Sequence, residues 1–400
     1  MKNRVKIPKL LFFQEGPGVR NYQYTTEGVK LLNVANLVNG NLDLSTSERY
    51  ISEEEAYGKY KHFLCDEGDL IIASSGIKVD YFDKKMGFVK PEHLPLCMNT
   101  STIRFKSLDR EVLDINYFMY FLKSQAFKKQ LARQITGSAQ LNFGPSHLSK
   151  MSFSLIDMED QINIVKQLGK IELIIEMKTK QIQEYDQLIK SRFVEMFGDI
   201  FTNEKRYRIG VFNDFVTQMN IGPFGSALKN DYFVSKDDGY CMVYEQKHAI
   251  RKNIYVDRRY VDLKKYNELS RFEVGPGDLI VSCRGTIGEC HILPNDAPRG
   301  IIHPSLMMIK PKGSVNGKFL LHLLERILER QLDNGSGVKM AIQAKELAKV
   351  KTIVPDRHLQ DEYVLFVEQV DKLKFDLQKH NELLAELLNK KMDEYFGGDM

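Results

Sequence analysis

The sequence has 400 residues, 43% of them apolar and 28% charged, with a formal net charge of +4. That length exceeds one compact core and predicts two or three domains, while the composition excludes disorder, collagen and a disulfide-stapled miniprotein. The net charge is too small to establish a nucleic-acid partner, so its distribution along the chain has to decide. Five scattered cysteines (Cys65, Cys97, Cys241, Cys283, Cys290) include no CxxC pair, which predicts a reducing, cytoplasmic setting. The apolar run at 10–13 is too short for a signal-peptide core, and nothing approaches the ~20 apolar residues that span a bilayer.

In chain order, Gly16-Pro17 marks a turn and Gly28 precedes a strand-like run at 29–34. Gly68-Asp69-Leu70-Ile71 reads as a turn followed by a buried strand, with another short apolar run at 102–105. A shorter helix is expected near 115–135, with Asn116 as its candidate cap. Gln161 then opens a proline-free stretch of good helix formers, interrupted only by Gly169 and closed by Phe197-Gly198. Spacings of four and three pick out Ile164, Leu168, Ile171, Ile175, Lys178, Ile182, Tyr185, Ile189, Arg192 and Met196, a heptad seam.

The second half repeats these landmarks in order. Gly222-Pro223 matches the first turn, Gly239 precedes a strand-like run at 240–244, and Gly277-Asp278-Leu279-Ile280 matches the turn and buried strand. A run at 306–309 and a helix near 318–332, with Asn316 as candidate cap, come next. Gly335-Ser336 answers Gly137-Ser138, and Gln360 opens a second long helix closed by Phe396-Gly397. From Gln161 to Phe197 and from Gln360 to Phe396 is 36 residues in both, whereas Gly68 to Gly137 is 69 residues against 58, so the first half carries an insertion. The second seam reads Tyr363, Val367, Val370, Lys374, Leu377, Asn381, Leu384, Leu388, Lys391 and Tyr395.

A rod of ~55 Å with so narrow an apolar stripe needs a partner. Either each helix packs on its own domain or the two pair with each other, and their similar lengths favour pairing. Antiparallel pairing would set two domains at opposite ends of one rod. Lys374 and Asn381 would then fix register within the seam or face solvent beside it. The predicted fold is therefore α+β: two mixed α/β domains in tandem at 1–154 and 199–352, separated by long antiparallel coiled-coil helices at 155–198 and 353–400. The helices at 161–197 and 360–396 carry +1 and −4, which sum to −3 against a whole-chain +4 and leave +7 for the mixed domains. The basic excess thus lies off the rods.

With these features the chain resembles the DNA-specificity subunit of type I restriction-modification systems, over essentially its whole length. The resemblance rests on Ile221-Gly222-Pro223-Phe224-Gly225-Ser226 with Leu228-Lys229, on Gly277-Asp278-Leu279-Ile280, on Arg284-Gly285-Thr286-Ile287-Gly288, on Gly335-Ser336, and on Ile353-Val354-Pro355 before Gln360. It departs in the first half, where Asp157 stands near an expected proline and 74–78 is an eroded counterpart of 284–288. The resemblance implies two target-recognition domains, each reading one half of a split double-stranded DNA site. It also implies helices that set the spacer and dock methyltransferase subunits, with restriction and translocase subunits joining through the complex. The repeat predicts two methyltransferase copies per chain.

Base readout needs polar and cationic side chains on loops that reach a groove, with further cations for phosphates. In the first domain the candidates are Arg20, Asn21, Lys78, Lys84, Lys85, Gln140 and Asn142; in the second, Lys229, Arg251, Arg258, Arg259, Arg284 and Lys339. The alternative for each is an ordinary solvated cation. Tyr22, Tyr24, Tyr57, Tyr60, Tyr255, Tyr260 and Tyr266 lie among cations and either stack on bases or pack within the fold. No phosphate-loop, GxSxG, HExxH or amino-methyltransferase motif is present, and Cys283, Cys290, His291 and His303 lack zinc spacing, so neither catalysis nor a cofactor is expected. The competing expectation is a protein-protein scaffold that reads no DNA.

Overall fold

The computed structural model describes residues 3–134, 141–333 and 342–397. It divides into two compact units, 1–180 with 377–400 and 181–376. Gly137-Ser138, Gly335-Ser336, Gln140 and Lys339 lie outside the described residues.

In the first unit an antiparallel sheet runs in the order Leu11–Glu15, Thr102–Ser107, Leu70–Ala73, Met86–Phe88. All four residues of Leu70–Ala73 are buried, as a continuous apolar run predicts for a strand covered on both faces. A second sheet sets Leu96–Met98 parallel to Val29–Leu32, with Tyr50–Ile51 at the edge. Asn3–Lys6 pairs with Ser152–Leu155. The second unit repeats this order: Val216–Ile221, Leu306–Pro311, Leu279–Ser282, Cys290–Ile292. Its other sheet sets Cys241–Tyr244 parallel to Gly300–Ile302, with Arg259–Val261 and Glu273–Val274 at the edges. Ile209–Val211 pairs with Lys351–Ile353. The landmarks shared by the two halves of the sequence are therefore landmarks of one repeated topology.

The Gly-Asp-Leu-Ile motif has one job in both units. The glycine takes φ +82° at Gly68 and +83° at Gly277, a conformation that favours glycine. The aspartate then closes the turn: Asp69 Oδ2 accepts from the Asp66 N–H at 2.9 Å, and Asp278 Oδ2 from the Gly275 N–H at 2.9 Å. Each also meets a lysine of the neighbouring strand, Lys106 at 3.4 Å and Lys310 at 3.6 Å.

The helix expected near 115–135 is two helices, Ile115–Lys123 and Gln125–Gln134, split where Ser124 is extended. Asp114, not Asn116, caps the first, accepting from the Asn116 N–H at 2.8 Å. Asn116 itself lies one residue inside the helix. Asn316 does cap Gly317–Asp333, accepting from the Lys318 N–H at 3.1 Å.

Two helices of 40 residues each, Met158–Phe197 and Arg357–Phe396, start three residues before the glutamines that signalled them. Those glutamines are buried anchors. Gln161 Oε1 accepts from the Asp114 N–H at 3.0 Å, and its Nε2 donates to the Val112 and Ile156 carbonyls at 2.9 and 2.8 Å. Gln360 Oε1 accepts from the Asn316 N–H at 2.9 Å, and its Nε2 donates to the Pro355 carbonyl at 2.9 Å. Each glutamine thus ties the first turn of a long helix to the start of the shorter helix of its own unit.

Every seam position of both helices is buried or half-buried. Across 173–188 and 372–390 all other positions are exposed. In the first unit Asn381 Nδ2 donates to Thr179 Oγ1 at 3.2 Å, and Tyr395 OH to Gln167 Oε1 at 2.7 Å. In the second, Lys374 pairs with Asp186, and Arg192 with Glu362 at 3.2 Å. Lys374 and Asn381 therefore reach across to the other helix. The far ends are seated in the cores: Phe396 lies 5.0 Å from Tyr117 in the first unit, and Phe197 lies 5.1 Å from Phe319 in the second. Each unit consists of its mixed domain, the start of the helix that follows it and the end of the other helix.

Candidate nucleic-acid interface

In the second unit, three strands of one sheet, Val216–Ile221, Leu306–Pro311 and Leu279–Ser282, meet three loops at one end, and close backbone contacts hold them together. Gly222 follows Val216–Ile221. Its N–H donates to the Leu306 carbonyl at 2.8 Å, and a Cβ there would lie 2.3 Å from the His303 carbonyl oxygen, so only glycine fits. The loop after Leu279–Ser282 is tied to the same place by Cys283 N–H to the Ser305 carbonyl at 3.0 Å. Gln246, the first residue of the short helix Gln246–Ile250, clamps that loop: its Nε2 donates to the Arg284 and Thr286 carbonyls at 2.6 and 2.9 Å. With the carbonyls held, the Arg284 side chain is left exposed.

The local charge is mixed. Burial works to raise the Glu245 carboxyl, but hydrogen bonds from Arg259 and Lys247 outweigh it and hold it below the usual carboxylate range. Arg259 is thus committed to Glu245, and it also lies over the Phe233 ring at 4.0 Å. Burial holds the nearby His303 imidazole below its ordinary value; Glu245 works against this, and Arg259, Arg284 and Lys247 add to it.

The first unit builds the same end from other residues. The Gly16 N–H donates to the Thr102 carbonyl at 2.9 Å, and a Cβ at Gly16 would lie 2.0 Å from the Asn99 carbonyl oxygen. Ser74 N–H donates to the Ser101 carbonyl at 2.8 Å, and Ser75 Oγ to Ser101 Oγ at 2.6 Å. The turn that follows Gly16-Pro17 begins at Arg20; after Gly222-Pro223 a 3-10 turn, Gly225–Ala227, comes first, and the next turn begins at Lys229. Each precedes an asparagine that opens a short 3-10 helix, Asn21–Gln23 or Asn230–Tyr232. Each turn then leads to an isolated bridge, Thr25 to Tyr50 or Val234 to Tyr260. Arg20 and Lys229 therefore occupy equivalent places, and both are exposed.

Five residues of the first half's extra length lie in the segment between Leu70–Ala73 and Met86–Phe88, which stands where the 284–288 loop stands in the second. That segment forms Ser75–Ile77, paired with Leu141–Asn142, and the 3-10 helix Val79–Lys84. Lys78, Lys84 and Lys85 line one cleft there with Tyr81, Val38 and Asn39. Lys78 and Lys84 are exposed, and Lys84 Nζ lies 5.5 Å from the Tyr81 ring centre. Lys85 turns inward and donates to the Leu37 carbonyl at 2.8 Å, so its ammonium is tied to the fold. Asn142 is exposed opposite Ser75. Arg251 and Arg258 lie on a separate loop, 251–258, fixed by His248 Nε2 to the Val256 carbonyl at 2.9 Å. Arg258 there rests 5.6 Å from the Tyr255 ring.

Sequence reasoning passed over four residues at these ends. Gln246 and Gln23 hold loops in place, Gln23 by accepting from the Arg20 N–H at 3.0 Å. Arg49 lies over the Tyr24 ring at 5.3 Å, as Arg259 does over Phe233. Phe224 is 81% exposed. Lone glutamines carry no motif, but Phe224 sat in plain view between Gly222-Pro223 and Gly225. Of the aromatics set among cations, Tyr60 and Tyr266 are buried, whereas Tyr22 is 86% exposed.

All five cysteines are buried, and burial pushes their thiols up, to about 12 at Cys97 and about 11 at Cys241. Among the described residues no group of three or more His, Cys, Asp or Glu is arranged to hold a metal ion. Nor is any helix among them long and apolar enough to cross a membrane.

Residues 20–187 and 238–389 match the model of the type I restriction modification DNA specificity domain, one copy in each half. The chain is 25% identical over 190 residues to the MjaVIII type I restriction enzyme specificity subunit of Methanocaldococcus jannaschii, covering 46% of this chain and 43% of that protein. It thus spans less than half the length of that curated relative. A solved chain from work on complex assembly and conformational transition of the type I R-M system matches all of this chain and 98% of its own, at 15% identity and a TM-score of 0.57. The type I restriction-modification S subunit from M. genitalium is likewise 15% identical, over all of this chain and 96% of its own, with a TM-score of 0.49. The likeness of fold rests on the former.

Proposed function

The chain belongs to the type I restriction modification DNA specificity domain family, and from that premise we propose that it is a non-catalytic subunit that reads a bipartite, asymmetric site on double-stranded DNA. Target-recognition domains at 1–154 and 199–352 each read one half of the site. The helices between and after them form an antiparallel coiled coil that fixes the spacing of the halves.

One observation carries this reading: the same sheet end recurs in both units with different side chains upon it. The first presents Arg20, Asn21 and the Lys78/Lys84 cleft. The second presents Lys229, Arg284 and a longer Gly222 loop. Equivalent platforms with unlike loops suit two different half-sites, and linking them makes the second contact intramolecular. The basic excess of the mixed domains supplies the phosphate attraction. Arg259 and Lys85, tied to Glu245 and to a backbone carbonyl, serve the fold rather than DNA.

The helix faces at 181–190 and 378–391 dock methyltransferase subunits, two per chain, with restriction and translocase subunits joining through them. Exposed Leu188, and Leu383 with Leu387, support those faces as contact surfaces. The test is a gel shift of the full chain with its methyltransferase subunits, on duplex carrying the motif methylated in the host. Motif duplex should be preferred over scrambled duplex, and affinity should fall steeply as salt rises. Equal, salt-insensitive binding of both duplexes would leave only a protein scaffold.

A further inference from the structure

An aromatic side chain held in water by rigid neighbours on both sides calls for a partner surface. Phe224 is such a residue. On one side Pro223 is buried, and Gly222 is pressed against the His303 carbonyl with its N–H bonded to Leu306. On the other, the Ala227 N–H donates to the Phe224 carbonyl at 2.8 Å and Leu228 is buried. The loop therefore cannot fold the ring back into the core, and the ring stays 81% exposed.

The loop differs between the two units. From Pro17 to Arg20 is three residues, and from Pro223 to the equivalent Lys229 is six. The second loop is three residues longer, and the shorter one, whose interior is Gly18-Val19, carries no aromatic between its proline and Arg20. Its surroundings are those of a DNA-facing end: Lys229 closes the same loop, and Arg284 projects from the loop tied through Ser305 to the strand on which Gly222 packs.

We propose that Phe224 stacks against an unstacked base step of DNA in the half-site read by the second unit, while Lys229 holds the adjacent phosphate. The proposal rests on the DNA-reading function above and adds to it the contact that makes the two halves unlike. A ring face binds any base, so its selectivity comes from how easily a step opens, and pyrimidine–purine steps open most readily.

The experiment uses the full chain assembled with its methyltransferase subunits and duplex carrying the host's methylated motif. 2-Aminopurine is placed in turn at each position of the second unit's half-site and its flank. Binding of wild type should raise the fluorescence at one step, and F224A should abolish that rise. F224A should also weaken binding about tenfold with the salt slope unchanged, whereas K229A should reduce the slope by about one. F224Y should restore the fluorescence signal. A wild-type complex that does not prefer the motif would sink the DNA-reading function itself. With that preference intact, the Phe224 proposal is overturned if F224A binds as tightly as wild type, if no position brightens, or if F224A instead loses methyltransferase subunits.

Discussion

Gln161 and Gln360 show how one side chain can set an element in place. Each uses its amide oxygen on a backbone N–H of the shorter helix's start and its amide nitrogen on one or two carbonyls, from a side chain that is itself buried. Alanine at either position leaves those partner groups unpaired or reliant on water, and each that stays unhydrated costs about 1–3 kcal/mol. Q161A and Q360A should each lower unfolding stability by roughly 2–3 kcal/mol. Chemical denaturation of the full chain checks this, and a change below about 0.5 kcal/mol, typical of surface substitutions, would show that the helix starts are held otherwise. Glutamate should be worse than alanine at Gln161, because a carboxylate would face the Val112 and Ile156 carbonyl oxygens that the amide now satisfies. Histidines make the second unit sensitive to acid. Burial depresses His291 and His322 from the ordinary 6.5 to about 4. Between those values the unfolded chain binds protons that the folded chain refuses, so stability is full above pH 6.5 and falls as pH drops towards 4, by at most about 1.4 kcal/mol per pH unit for each histidine. Melting between about pH 7 and pH 5 should show that loss, and H322Q should make the slope shallower. An unchanged slope in H322Q would mean that His322 does not carry it.

At the scale of elements, the seam is the clearest case of sequence dictating structure. Alternating spacings of four and three put one stripe on each helix, and that stripe is what is covered along the mid-helix stretches. Polar seam residues are ambiguous in sequence, because a lysine or asparagine at such a position can pair or face solvent. The contacts of Lys374 with Asp186 and of Asn381 with Thr179 are set by the opposite helix, whose register the sequence does not state. The break at Ser124 was hidden for a related reason: 115–134 has helix-forming composition throughout, and a single extended serine splits it. Strand runs and glycine turns were legible because burial on two faces and positive φ leave a direct mark on composition. Loop contacts were not legible, since the ties of Arg259 to Glu245 and of Lys85 to a carbonyl depend on residues distant in sequence. If the helices act as a ruler, inserting seven residues after Lys180 keeps the seam in phase while lengthening one helix by about 10 Å. The methylated motif should then keep both half-sites and lose or change its spacer. An unaltered spacer would refute the ruler.

For the whole molecule, the repeat makes two similar platforms and the loops make them different. Sheet order, the Gly-Asp turn, the glutamine anchor and the seated phenylalanine recur in both units, so changes in one platform's loops leave the other's scaffold untouched. That independence is the central claim, and exchange of one platform tests it most directly. Residues 199–352 are replaced by the corresponding region of a relative with a different specificity, and the methylated motif is read by single-molecule sequencing of host DNA. The account predicts that one half of the motif changes to that of the donor while the other half and the spacer stay as they were. A motif in which both halves change together would contradict it.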